Sequence, residues 1–280
     1  MLNRWLEAIE NGLVYLPSRT VTATPAHFGL DFERIELTAD DGVVTAAWAI
    51  PSGEARPWLL YFHGNGANVA HYLPFAAALH RLGLNLLLPE YRGYGESSGV
   101  PSEAGLYKDA QAAYRHLSAR GVAPDHLAVY GFSLGSGVAV ELASRENVGA
   151  LLLEAPFTSL PDVARATYRI VPSGLMRNLY QSAQKIRKVR SPLLVLHSPA
   201  DIVVPYRLGR RLFELGRGPK AFVELTGGHS ELVNRPNPEV LLELARFLRR
   251  HLPGGRGQGQ PGMRDRPASP QSGARRSPRT

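Results

Sequence analysis

The chain has 280 residues, contains no cysteine and carries a formal net charge of +8 at pH 7. Its length and its 44% content of apolar residues are sufficient for one sizeable core with a small insertion. The lack of cysteine excludes disulfides, thiol catalysis and cysteine-ligated metals. Much of the positive charge lies after Leu252, where six arginines accompany one acidic residue, Asp265. We therefore do not infer a specific nucleic-acid partner from the charge.

The amino terminus carries apolar residues at helical spacing, namely Leu2, Trp5, Leu6, Ile9 and Leu13. Two interpretations stay open: a short helix packed on the body, or an anchor lying in a membrane interface. No apolar run approaches the roughly 20 residues that a spanning helix needs, and the pattern of a signal peptide is missing. We expect a cytoplasmic protein, with any membrane-surface contact weak and made by residues 1–16 or by the basic tail.

A hairpin precedes a series of strands that alternate with helices. Residues 32–38 and 43–50 flank the turn Asp40-Asp41-Gly42, which predicts an antiparallel hairpin. The short apolar runs that follow are typical of strands buried on both faces of a parallel sheet, and they lie at residues 58–62, 84–88, 126–130, 149–153, 192–196 and 221–225. Helices are predicted at 68–82, 103–120, 134–145, 206–215 and 238–252. This alternation predicts an α/β sheet whose ligands bind at the carboxyl ends of its strands.

The predicted chain has three parts. Residues 1–30 form a helix and a connector, and residues 31–252 form the α/β domain. Residues 159–190 interrupt the alternation and are predicted to form a small helical cap over the active end of the sheet. Residues 253–280 are rich in Gly, Pro, Gln, Ser and Arg and are predicted to be a disordered basic tail.

A strand-to-helix turn carries the first chemical motif, Gly131-Phe-Ser133-Leu-Gly135. Gly-x-Ser-x-Gly in this context is the pattern of a nucleophile elbow. The serine occupies a strained turn, so side chains two residues before or after it would collide with the packed strand and helix. We predict that Ser133 is a nucleophile.

A serine hydroxyl needs a histidine to take its proton and a carboxylate to orient that histidine. Asp201 follows the strand at 192–196, and His229 follows the strand at 221–225. The chain order Ser133, Asp201, His229 is the order of an α/β-hydrolase triad. Glu154, at the end of the strand at 149–153, is a rival for the acid.

Two backbone N–H groups are needed to hold the developing oxyanion. We predict that Leu134, directly after the nucleophile, supplies one and that Asn65 in His63-Gly-Asn65-Gly supplies the other. His63 is interpreted as a structural hydrogen-bonding residue. Tyr91, in a Gly-rich loop, is a candidate for the rim of the substrate pocket. No group of His, Asp and Glu has convincing metal-ligand spacing, so we expect no metal and no cofactor.

These motifs resemble the α/β-hydrolase superfamily of serine hydrolases over about residues 30–252. The nearest resemblance is to a small-capped esterase and thioesterase branch similar to eukaryotic membrane-tethered depalmitoylases. It implies an eight-stranded, mostly parallel sheet, a triad of Ser133, Asp201 and His229, and a place for Phe157 near an acyl pocket. Two features depart from that branch. Ser198 stands where the family has glycine in its His-Gly-x-x-Asp turn, and the amino-terminal cysteine cluster of the depalmitoylases is missing.

The sequence therefore predicts a serine hydrolase that cleaves small acyl esters or thioesters through an acyl-enzyme. Two alternatives stay open. An aminopeptidase-like amide hydrolase would use the same triad, and a catalytically silent relative would serve as a binding module.

Overall fold

The computed structural model describes residues 10–167 and 176–253. The predicted helix before residue 10, the middle of the predicted cap and nearly all of the predicted tail lie outside these ranges. The strands are β1 (Leu16–Pro17), β2 (Glu33–Thr38), β3 (Val44–Ile50), β4 (Trp58–Phe62), β5 (Gly66–Ala67), β6 (Asn85–Pro89), β7 (Leu127–Phe132), β8 (Ala150–Glu154), β9 (Leu193–His197) and β10 (Lys220–Glu224).

Helices connect most of these strands. They are α1 (Leu73–His80), α2 (Glu103–Ala119), α3 (Leu134–Arg145), α4 (Leu160–Thr167), α5 (Ser182–Lys185), α6 (Tyr206–Leu215), α7 (Glu231–Asn234) and α8 (Pro238–His251). Short 3-10 turns lie at Pro25–Phe28, Val69–Tyr72, Pro124–His126 and Ile186–Lys188. Residues 10–14 are also helical and lead into β1.

The main sheet has eight strands in the order β10-β9-β8-β7-β4-β6-β3-β2. The β2–β3 and β3–β6 pairs are antiparallel, and the other pairs are parallel. Strands β6, β7, β8 and β9 are buried along their whole length, as their continuous apolar sequences require. The predicted eight-stranded, mostly parallel sheet with its opening hairpin is confirmed.

Helices cover both faces of this sheet. One core contains apolar residues of α2 and α3, such as Leu106 and Val138, and the other contains residues of α1 and α8, such as Phe75 and Leu244. One strand pair and one short helix of the described residues were not predicted. Strand β1 pairs in parallel with β5, and the short helix α7 follows the last strand of the sheet. Two-residue strands are too short to leave an alternating pattern in the sequence.

Register brings the loops of interest to one edge of the sheet. Phe62, the last residue of β4, pairs with Gly131 of β7, and Glu154, the last residue of β8, pairs with Phe132 and Leu196. The loops after β4, β7, β9 and β10 therefore leave the sheet at the same end, because the strands are parallel.

Candidate active site

Ser133 lies in the sharp turn between β7 and α3. Its backbone has φ 51° and ψ −117°, a conformation that a non-glycine residue adopts only when the surroundings impose it. Its N–H donates to the carbonyl oxygen of Glu154 at 2.9 Å, which fixes the turn to the end of β8. A Cβ at Gly131 would collide with the backbone of Gly135, and a Cβ at Gly135 would collide with the carbonyl oxygen of Phe62, so both flanking glycines are sterically required. The sequence motif thus folds as the strained elbow it predicts.

A hydrogen-bonded chain joins the three residues predicted as a triad. Ser133 Oγ lies 2.9 Å from His229 Nε2, and His229 Nδ1 lies 2.7 Å from Asp201 Oδ2. The ring of His229 packs against that of Phe132 with centroids 5.2 Å apart. The structure therefore brings together residues from the ends of β7, β9 and β10 in the geometry that proton transfer from a serine requires.

The Asp201 carboxylate is buried and held on both oxygens. Its Oδ1 accepts the N–H groups of Val203 and Val204, each at 2.8 Å, while its Oδ2 accepts from His229. Burial alone would raise the pKa of the Asp201 carboxyl. Hydrogen bonds from His197 and His229 outweigh that effect and hold the pKa well below its ordinary value. Asp201 is therefore ionised throughout the neutral range.

Among the described residues, the carboxylate that bonds His229 is Asp201, and the rival acid Glu154 is not part of this hydrogen-bonded chain. It is completely buried, and its Oε2 accepts from the hydroxyl of Tyr130 at 2.6 Å. Its Oε1 has no hydrogen-bond partner among the described residues. Burial, opposed by the Tyr130 hydrogen bond and reinforced by the charge of Asp201, raises the pKa of Glu154 to about 8. At neutral pH Glu154 is mostly a neutral acid, which suits a core position.

The buried Glu154 carboxyl predicts a pH-dependent stability. Its pKa is about 8 in the fold against 4.5 for the free side chain, so the folded state binds the proton more tightly. The stabilisation is complete below pH 4.5 and is lost as the pH rises through about 8, with a slope of at most about 1.4 kcal/mol per pH unit. Glu154→Gln, which resembles the neutral acid, should remove this slope. Urea unfolding of both proteins between acidic and alkaline pH measures it, and identical pH profiles would contradict the assignment.

The predicted oxyanion residues follow strands β7 and β4, which are neighbours in the sheet. Leu134 begins α3, and an N–H in the first turn of a helix has no acceptor within that helix. Asn65 lies in the loop after β4. Its carbonyl oxygen accepts from Leu16 N at 3.0 Å and from the Tyr94 hydroxyl at 2.7 Å, and its side chain donates to Val14 O at 3.0 Å. The amino-terminal segment therefore holds this loop, a contact that the sequence did not indicate.

His63 has a structural role, as its position before glycine indicated. It is completely buried, with Nε2 2.8 Å from Glu90 Oε1 and Nδ1 2.8 Å from Gly64 O. The expectation that Tyr91 lines a pocket rim is corrected. Tyr91 is buried in the core, and its hydroxyl donates to His63 O at 2.8 Å. An apolar ring with one hydroxyl fits there because the backbone carbonyl supplies the acceptor.

Phe157 and the start of the predicted cap lie after β8. Phe157 is buried and packs edge-on against Tyr180, with centroids 6.4 Å apart. Tyr180 in turn lies against Gly137 of α3, and its hydroxyl is 2.9 Å from that of Tyr15. The place of Phe157 near an acyl pocket stays a prediction.

Within residues 10–167 and 176–253, no three His, Asp or Glu side chains form a group suited to a metal ion.

The sequence analysis assigned no role to two residues close to Asp201. His197 ends β9, and its Nε2 lies 3.3 Å from Asp201 Oδ2. Ser198 follows, and its hydroxyl donates to Gly227 O in the loop that carries His229. The family's His-Gly-x-x-Asp turn contained a signal for both, since His197 is its histidine and Ser198 replaces its glycine.

The strand order and the serine elbow define an α/β hydrolase. The chain belongs to the α/β-hydrolase family, as the relatives described below show. Residues 53–184 match a family model described as serine aminopeptidase, S33. An uncharacterized protein of Mycobacterium tuberculosis is 36% identical over 84% of this chain and 86% of its own length. The Arabidopsis thaliana protein WAV2, described as containing an α/β-hydrolase domain, is 35% identical over 80% of this chain and 82% of its own.

Solved structures show the same fold. The Pyrococcus furiosus esterase Pf2001 superimposes with a TM-score of 0.73 and 20% identity, over 85% of this chain and 98% of its own. These comparisons confirm the predicted superfamily and support a hydrolase. The nearer resemblance to depalmitoylases stays a prediction. Among the parts of the chain that the structure describes, none of the helices has the length and apolarity needed to cross a bilayer.

Proposed function

We propose that this protein is a serine hydrolase that cleaves carboxylic ester or thioester bonds of acyl substrates. The observation that carries the proposal is the chain of hydrogen bonds from Ser133 through His229 to Asp201, at 2.9 and 2.7 Å. Serine at a strained elbow, a histidine within reach of its hydroxyl and a buried ionised carboxylate behind that histidine form a triad. The proposed substrate is a small acyl ester or thioester.

In this mechanism Ser133 Oγ attacks the acyl carbon while His229 Nε2 takes its proton. Asp201 accepts from His229 Nδ1 and stabilises the imidazolium that forms. The N–H groups of Leu134 and Asn65 bind the oxyanion of the tetrahedral intermediate. His229 then gives its proton to the leaving alcohol or thiol, and the acyl group stays on Ser133 Oγ. Water next attacks the acyl carbon while His229 takes a proton from it. His229 returns that proton to Ser133 Oγ as the carboxylic acid leaves.

Apolar side chains beside these residues support an acyl substrate. Ile202 and Val203, directly after Asp201, are exposed, and so is Leu16, which pairs with Gly66 next to Asn65. Exposed apolar groups adjacent in the chain or in strand pairing to Asp201 and Asn65 favour hydrocarbon over charged substrates.

Amide hydrolysis is the second candidate, because the matching family model is described as a serine aminopeptidase. An aminopeptidase needs a carboxylate that faces the ammonium of its substrate. The carboxyl groups of Glu90, Glu154 and the proposed catalytic Asp201 are all buried. Glu90 is bound by His63 and Val69 N, and Asp201 by four donors. This arrangement is the reason for placing esters first.

The proposal is tested with a fluorophosphonate probe, which forms a covalent bond only with an activated serine. We expect rapid labelling of the wild-type protein and of Ser136→Ala, and none of Ser133→Ala. Ser136 is the matched control, because it lies one turn along the same helix and its buried hydroxyl has no partner among the described residues. If folded wild-type protein is not labelled, the proposal of a serine hydrolase is refuted and the hypothesis of a binding module is favoured.

Substrate class is tested by comparing p-nitrophenyl esters, from acetyl to palmitoyl, with aminoacyl p-nitroanilides. We expect ester turnover that depends on acyl length. If the anilides are turned over while the esters show negligible turnover at every acyl length, amide hydrolysis becomes the first candidate and ester hydrolysis the second.

A further inference from the structure

His197 lies next to Asp201 of the proposed triad. It is completely buried at the end of β9. Its Nε2 is 3.0 Å from Val204 O and 3.3 Å from Asp201 Oδ2. Both neighbours are acceptors, so Nε2 must carry the proton and share it between them.

The other ring nitrogen of His197 fits this tautomer. Nδ1 has no hydrogen-bond partner among the described residues. Burial without a partner is less costly for an unprotonated nitrogen than for an N–H group, so this agrees with a proton on Nε2. Gly209 of α6 leaves the space for it, because a Cβ at that position would overlap Nδ1 and lie 2.9 Å from Cε1. The helix that follows Asp201 is therefore shaped around this imidazole.

His197 completes the set of donors around Asp201. Two backbone N–H groups fill Oδ1, and the two histidines His229 and His197 share Oδ2. A carboxylate with donors on both oxygens cannot rotate without losing several charge-assisted hydrogen bonds. The ionisable groups that surround it are His197 of β9, His229 after β10 and Glu154 of β8.

Ser198 makes a separate contact toward the histidine side of the site. Its hydroxyl accepts from Ala200 N at 3.1 Å, within the loop of Asp201, and donates to the carbonyl oxygen of Gly227. Gly227 lies two residues before His229. Ser198 is 3% exposed, so this bond is largely shielded from water. Glycine, the family residue at this position, has no hydroxyl with which to link the two loops.

We propose that His197 and Ser198 are positioning residues of the triad: His197 holds the Asp201 carboxylate, and Ser198 ties the loop of Asp201 to the loop of His229. Neither touches the substrate. The inference rests on the proposed function in one respect, since the consequence for turnover assumes that Ser133, His229 and Asp201 are the catalytic residues.

The test uses matched pairs of variants in the full-length protein. His197→Gln retains an N–H near the position of Nε2, whereas His197→Met fills similar volume without a donor. Ser198→Thr retains the hydroxyl, whereas Ser198→Ala removes it. For each protein, kcat and KM are measured with one p-nitrophenyl ester, and the low-field proton resonance of the His229 Nδ1–H is recorded by NMR.

We expect His197→Met and Ser198→Ala to lose about 10- to 100-fold in kcat with KM unchanged, because small misplacements of catalytic groups have effects of this size. Their low-field resonance should broaden or disappear. His197→Gln and Ser198→Thr should restore both. Loss of thermal stability with an unchanged resonance and unchanged kcat would overturn the inference. The resonance does not depend on turnover, so a wild-type protein that shows it but cleaves no ester would count against the proposed function alone.

Discussion

Asp201→Asn is expected to lower kcat by about 10,000-fold while the protein remains folded. The reason lies in the polarity of the contacts around the carboxylate. The amide oxygen must take the place of Oδ1, because two backbone N–H groups point at it. The amide NH₂ then faces His229, which can pair with it only through an unprotonated Nδ1. The proton moves to His229 Nε2, and that nitrogen can no longer take the proton of Ser133.

Glu154→Gln is the control for this prediction. Glu154 is mostly neutral and pairs with Tyr130, so its replacement by an isosteric neutral amide should leave kcat close to that of the wild type. Steady-state kinetics with one ester, together with circular dichroism to verify folding, compares the two variants. A small loss for Asp201→Asn and a large loss for Glu154→Gln would identify Glu154 as the acid and refute the assignment.

The parts of this fold that follow from short-range patterns were predictable. Continuous apolar runs such as those at 58–62 and 192–196 indicate strands buried on both faces, and their carboxyl ends mark where functional loops emerge. Ser133, Asp201 and His229 were found because each follows such a run in a known chain order. The structure places them in one hydrogen-bonded chain, although their catalytic role awaits the labelling experiment.

Contacts between distant segments were not predictable from one sequence. Tyr15 donates to Asn178 Oδ1 at 2.8 Å across a separation of 163 residues, and Leu16 N reaches Asn65. No local periodicity encodes such partners. The amino-terminal segment was interpreted only as a packed helix or a membrane anchor. Its described part joins the end of the predicted cap to the loop of Asn65, while Leu13 of the same segment is exposed.

His197 illustrates a different limit. His197 is the histidine of the family's His-Gly-x-x-Asp turn, but the pattern alone does not separate a satisfied core residue from a support of the active site. Its role depends on Gly209, twelve positions along the chain, which makes room for the ring. Tyr91 illustrates the opposite case. Its place in a Gly-rich loop suggested the rim of a substrate pocket, but its side chain is buried.

Gly135→Ala is expected to damage both stability and activity. A Cβ at this position would overlap the carbonyl oxygen of Phe62 and lie 2.6 Å from that of His63. Both obstacles are backbone atoms at the end of β4, so no side-chain rotation relieves the collision. Either α3 or the loop of Asn65 must move away, which separates the nucleophile from one oxyanion donor. We expect a loss of about 3 kcal/mol in the free energy of unfolding and at least about 100-fold in kcat.

Gly12→Ala provides the matched control, because a Cβ there meets nothing within 4 Å and the residue is helical. It should leave kcat unchanged and stabilise the protein slightly, by up to about 1 kcal/mol. Urea unfolding and ester kinetics on both variants separate the effect of the collision from that of losing a glycine. If Gly135→Ala unfolds too readily to assay, its labelling by the fluorophosphonate at low temperature gives the second measurement. If Gly135→Ala is as stable as the wild type and is labelled equally well, α3 and the loop after β4 do not pack as closely as the structure shows.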